Sequence, residues 1–125
     1  MKYPTYYLSM NYKFYRILLI VYALIILMIS ATPSSDLPKM WLLQYDKIIH
    51  FVEYLIFGVL AMKSMTTQSM KVGLILIPFG IMFGFFDEYL QSFISGRYSS
   101  LMDVFSDSIG FSIGIILVYL TQNDR

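Results

Sequence analysis

Apolar and polar positions alternate along this chain in long blocks rather than residue by residue. Ile17 to Ala31 is almost unbroken hydrocarbon. With Phe14 and an Arg16 that can snorkel to the boundary, it reaches the length of about 20 residues that crosses a bilayer as a helix. The block predicts a first helix over 14–31. Thr32 to Tyr45 holds Pro33, Ser34, Ser35, Asp36 and Pro38, which do not continue a helix comfortably, then Trp41 and Tyr45, which suit a membrane boundary. Three further blocks predict helices over 46–62, 72–90 and 102–120, joined by the polar connection Lys63 to Lys71 and by a turn at Ser95-Gly96-Arg97. Pro78 marks an expected kink, which membrane helices tolerate. The expected fold is all-α: a bundle of four transmembrane helices forming a single membrane domain over residues 1–125.

Composition strengthens this picture. The 125 residues are 58% hydrophobic and only 14% charged, against about 25% charged in an ordinary soluble domain. Lys2, Lys13 and Arg16 among Tyr3, Tyr6, Tyr7, Tyr12 and Tyr15 read as an interfacial anchor. A basic start, an apolar core and Ser30-Ala31 also imitate a cleavable signal peptide, but the three apolar blocks that follow favour an uncleaved anchor. The absence of cysteine excludes disulfides, thiol nucleophiles and thiolate metal sites. No glycine-rich phosphate loop, Ser-His-Asp ordering or basic nucleic-acid patch stands out, so nucleic acid is not an expected partner. The nine methionines and Phe83, Phe85 and Phe86 read as lipid-facing or packing surface.

The distribution of charge says more than its total. Four spans put both termini on one side. Lys2, Lys13, Arg16, Lys63, Lys71 and Arg125 then share that side, and Lys39, Lys47 and Arg97 the other. The positive-inside rule therefore predicts cytoplasmic termini. Seven of the eight acids (Asp36, Asp46, Glu53, Asp87, Glu88, Asp103 and Asp107) fall on the outer side.

The stretch from Gly84 to Gly110 concentrates the chemistry, because Asp87, Glu88, Arg97, Asp103 and Asp107 sit where apolar blocks end or begin. Charge so close to hydrocarbon is kept when it is paired or used. Asp46, His50 and Glu53 are four and three residues apart, hence on one helix face. Gly73, Gly80, Gly84, Asp87 and Gln91 form a second stripe, and Asp103, Asp107, Gly110 and Gly114 a third. Gly80–Gly84 and Gly110–Gly114 have the spacing that lets helix backbones approach closely. If the stripes converge, the outer mouth gathers Asp46, His50, Glu53, Asp87, Gln91, Asp103 and Asp107, with Glu88 and Arg97 close by.

Three uses of such a mouth compete. Lys47 and Arg97 neutralise acids and lock helix ends, making a structural partner of another membrane protein. Alternatively, Arg97 grips a phosphate or carboxylate of an envelope component while the acids accept its hydroxyl or amine donors, since its planar fork binds such groups bidentately. In the third, an enzyme acting on a lipid-linked phosphoester or glycan, His50 is a general base, or His50 and carboxylates (Glu53, Asp87, Glu88, Asp103) move protons or grip a divalent cation. The expectation adopted is the binding site, with no tightly held cofactor and no assigned metal.

Asp-Lys-x-x-His-Phe-x-Glu-Tyr at 46–54, Asp-Glu-x-x-Gln at 87–91, Gly96-Arg97, and Asp103 followed by Gly110 together resemble the VanZ-like family of small bacterial membrane proteins, over about residues 15–120. The resemblance implies a four-helix, multi-pass protein of the bacterial cytoplasmic membrane. It carries over Asp46, Lys47, His50, Asp87, Glu88, Gln91, Arg97 and Asp103 as motif positions, with no established catalytic role. Asp107 stands where the family leads one to expect asparagine, and Tyr89 where histidine is frequent. The family's namesake is linked to low-level teicoplanin resistance, an association that does not transfer on likeness alone. The location and chemistry of the outer mouth, apart from the resemblance, lead one to expect as partners the lipid bilayer, a lipid-linked envelope precursor, and a membrane-protein partner or a second copy of the chain.

Overall fold

The computed structural model describes residues 5–37 and 45–123, and among them it is all-helical. Four helices, α1 (Thr5–Ser30), α2 (Asp46–Lys63), α3 (Met70–Gln91) and α4 (Leu101–Asn123), are accompanied by a single 3-10 turn at Ser34–Asp36. The roles expected of Trp41 at the boundary and of Lys2, Tyr3, Lys39, Asp124 and Arg125 in the charge pattern fall outside the described residues.

Local chemistry accounts for several of the boundaries. Asp46 opens α2 and Lys63 closes it, which complements the helix dipole at both ends. Ser69 caps α3 by accepting a hydrogen bond from the Val72 amide at 3.3 Å. After α3 the chain turns at Gly96, whose φ of 73° lies in the left-handed region. α1 begins earlier than the apolar block suggested, because Thr5 to Ser30 contains neither Pro nor Gly and nothing in the tyrosine-rich stretch stops a helix. α3 passes through Pro78 without a break in its assignment.

Among the described residues three helices are long and apolar enough to cross a membrane: Asn11–Ser30, Met70–Gln91 and Leu101–Gln122. α2 falls short by composition, since its 18 residues include Asp46, Lys47, Glu53 and Lys63. It nevertheless packs against all three other helices, most extensively against α4. A Cβ at Gly58 would overlap the Phe111 carbonyl, and one at Gly110 or Gly114 the carbonyls of Phe51 or Leu55. The α2 and α4 backbones therefore touch, as small residues permit.

The expectation for Gly80–Gly84 needs correction. These glycines admit side chains rather than a backbone: Gly80 faces the Phe111 ring and Gly84 the Asp107 carboxylate. Below the polar residues the core is Ile26, Tyr54, Phe57, Ala61, Met62, Phe111, Ile115 and Val118. Phe83 packs against it, its ring centroid 4.8 Å from that of Phe57. Phe85, Phe86, Met28, Met82 and many aliphatic residues are exposed, an apolar exterior that suits lipid.

Candidate functional site

The carboxyl end of α3 and the amino ends of α2 and α4 meet at one end of the bundle, and the acidic stripes meet with them. Asp87, Glu88, Gln91, Asp103, Asp107 and His50 are all buried there. Such a group of ionisable side chains in a small helical protein requires internal partners.

His50 stands at the centre. Its Nδ1 donates to Asp107 Oδ1 at 2.8 Å, which leaves Nε2 facing Asp46 Oδ1 at 3.6 Å and Glu88 Oε1 at 3.8 Å. Those separations exceed hydrogen-bonding distance. Lys47 Nζ donates to Asp103 Oδ1 at 2.5 Å. Glu88 Oε2 accepts the Ser100 amide at 2.9 Å, and Asp87 Oδ2 accepts the Tyr54 hydroxyl at 3.1 Å. Four buried polar atoms have no hydrogen-bond partner among the described residues: Asp87 Oδ1, Glu88 Oε1, Gln91 Nε2 and Asp107 Oδ2.

The structure thus gathers Asp46, Lys47, His50, Asp87, Glu88, Gln91, Asp103 and Asp107. Glu88 is central rather than peripheral, because α4 closes over the side of α3 that carries it. Glu53 lies one turn deeper, and its side chain enters no ion pair or hydrogen bond among the described residues. Only its backbone carbonyl is engaged, by the Tyr22 hydroxyl at 3.0 Å.

Arg97 departs from the expectation that it neutralises an acid. Half-buried, it reaches back to the Thr32 carbonyl at 3.5 Å, while the Ser34 amide donates to the Ser95 carbonyl at 3.2 Å. Two loops are tied together over the acidic end, and among the described residues Arg97 forms no ion pair. Tyr54, in the sequence no more than the last residue of the 46–54 motif, is fully buried and joins the site. Its position four residues after His50 on the same face was the available signal.

The VanZ/LLP1 family profile matches residues 4–122, nearly the whole chain. The protein belongs to the VanZ-like family. No curated protein and no solved structure matches it. With three helices capable of spanning a bilayer, this VanZ-family chain is a membrane protein whose apolar exterior meets lipid. In this VanZ-like bundle the motif positions Asp46, Lys47, His50, Asp87, Glu88, Gln91 and Asp103 converge at one end, with Arg97 in the loop above them.

Proposed function

We propose that this protein is a single four-span domain of the bacterial cytoplasmic membrane, α2 being the fourth span and both termini cytoplasmic. Its acidic end opens outward and binds an anionic component or precursor of the cell envelope. The observation that carries this reading is Arg97. Among the described residues it stands over a group of carboxylates without pairing to one, and its contact there to Thr32 leaves most of its five N–H donors for a phosphate or carboxylate. A groove of about 270 Å³ between the end of α3 and the start of α4, walled by Phe85, Tyr89, Leu101 and Val104 with Ser92 and Ser99 also lining it, gives room for an acyl or isoprenoid chain. The acids would accept the hydroxyl or amine donors of the same ligand.

Native mass spectrometry of the protein purified in mild detergent tests this. A co-purifying phospholipid or isoprenoid-linked species is expected, and Arg97→Lys, which exchanges a fork for a point charge, is expected to lose it. A preparation free of such species, or one that Arg97→Lys leaves unchanged, sinks the proposal.

A second reading, an enzyme acting on a lipid-linked phosphoester or glycan, is favoured by the His50–Asp107 pair. A carboxylate on Nδ1 orients the ring and leaves Nε2 as a base. In that case His50→Gln abolishes turnover of the bound species while its binding persists.

A further inference from the structure

The buried acids outnumber the cations available to them. Asp87, Glu88, Asp103 and Asp107 are each at most 4% exposed, and the one lysine among them, Lys47, is committed to Asp103. One ligand atom from each of His50, Glu88 and Asp107 lies within 4.8 Å of the other two, and all three residues are buried. Within this trio Glu88 Oε1 and Asp107 Oδ2 have no hydrogen-bond partner among the described residues. His50 Nε2 makes only the long approaches to Glu88 and Asp46. Two carboxylate oxygens and the one imidazole of the chain therefore stand together. Such oxygens are costly unless something positive lies between them. Gly84 keeps the place open, for a Cβ there would come within 3.3 Å of Asp107 Oδ2.

We propose that His50, Glu88 and Asp107 hold a divalent cation of the zinc or manganese type. Ligand chemistry selects the class: an imidazole suits zinc, and carboxylates suit manganese and zinc better than soft metals. Ligands about 2.1 Å from a shared ion stand up to about 4.2 Å apart, so the observed spread closes with side-chain shifts of less than about 1 Å. Asp107 serves as a ligand by giving up its hydrogen bond to Nδ1, the cation taking the place of that proton between the two. The cation would neutralise the excess of buried negative charge and leave coordination positions for water or a ligand oxygen. The site is independent of the anion-binding reading, since Arg97 takes no part in it.

The test uses the purified full chain in mild detergent, freed of any affinity tag, stripped with chelator and titrated separately with Zn2+ and Mn2+. One ion per chain is expected, with affinity falling at least about tenfold in His50→Gln, Glu88→Gln and Asp107→Asn. Asp36→Asn, at an exposed acid in the 3-10 turn, should bind as the parent does. No uptake by the parent chain, or uptake that none of the three substitutions weakens, overturns the proposal. X-ray absorption on the zinc-loaded parent needs no variant to fold. Because the chain has one histidine, the spectrum must show a single imidazole among oxygen ligands, and a shell of oxygens alone overturns the assignment.

Discussion

At one end of the bundle Asp87, Glu88, Gln91, Asp103 and Asp107 are buried between helices. At the other, Lys13, Arg16 and Lys71 are exposed and Lys63 is half-buried, 5.0 Å from the Tyr15 ring centroid. Arg16 lies 4.8 Å from the Tyr12 ring centroid and donates to the Ser64 carbonyl at 3.0 Å. The basic end thus follows the inexpensive rule: long side chains lay their stems on apolar surface and leave their charge wet. The acidic end does the opposite, because Asp and Glu are too short to snorkel. Charge at the basic end can be altered with little consequence, whereas at the acidic end each group constrains its neighbours.

The sharpest way to break this contrast is to place the two ends relative to the membrane. Single cysteines at Ser35, Gln68 and Ser99, in a chain with no other cysteine, should divide cleanly under an impermeant thiol reagent applied to intact cells. Ser35→Cys and Ser99→Cys should label fully, and Gln68→Cys only after permeabilisation; the reverse pattern would turn the protein over. Next in size is Gly58→Val between the ends, where the added carbons meet the Phe111 carbonyl rather than a movable side chain. Overpacking costs roughly 1–3 kcal/mol and more where backbone must move. Size-exclusion chromatography in detergent should show little monodisperse protein, and a parent-like profile would deny that α2 and α4 touch.

Double-mutant cycles then compare the ends directly. His50→Gln with Asp107→Asn should couple by about 0.5–3 kcal/mol in detergent melting. Arg16→Gln with Lys71→Gln should add within about 0.5 kcal/mol. Additivity at both ends would mean that the acids are separate helix-end contacts. The smallest effect is expected of Arg16→Gln alone. It removes one hydrogen bond to Ser64, worth about 0.5–1.5 kcal/mol, and should lower the melting temperature slightly.

Much of this arrangement could be read in the residues. Apolar blocks gave the four helices, and the spacing of Asp46 and His50, Asp87 and Gln91, and Asp103 and Asp107 gave three faces that do meet. What periodicity leaves open is how far neighbours wrap around an element. Asp87 and Glu88, adjacent and so about 100° apart on their helix, are both buried because the end of α3 is covered from two sides. Pairing is likewise settled by reach. Arg97 was legible as the one cation of its loop, but its turn, set by Gly96, carries it toward Thr32 instead of into the carboxylates. The start of α1 was missed because polar and aromatic residues end an apolar block without ending a helix.

The ties on α1 also bear on the order in which the protein can be assembled. Arg16 is held by Ser64, 48 residues later, and Thr32 by Arg97, 65 residues later. At synthesis rates of about 5–20 residues per second, the second fastening arrives roughly 3–13 s after the loop it secures. For those seconds α1 lies in the bilayer without its clasp at the acidic end. Its packing partners α2 and α3 are made earlier, so an arrest of synthesis before Arg97 should leave a first helix that is docked on them but unfastened at the acidic end.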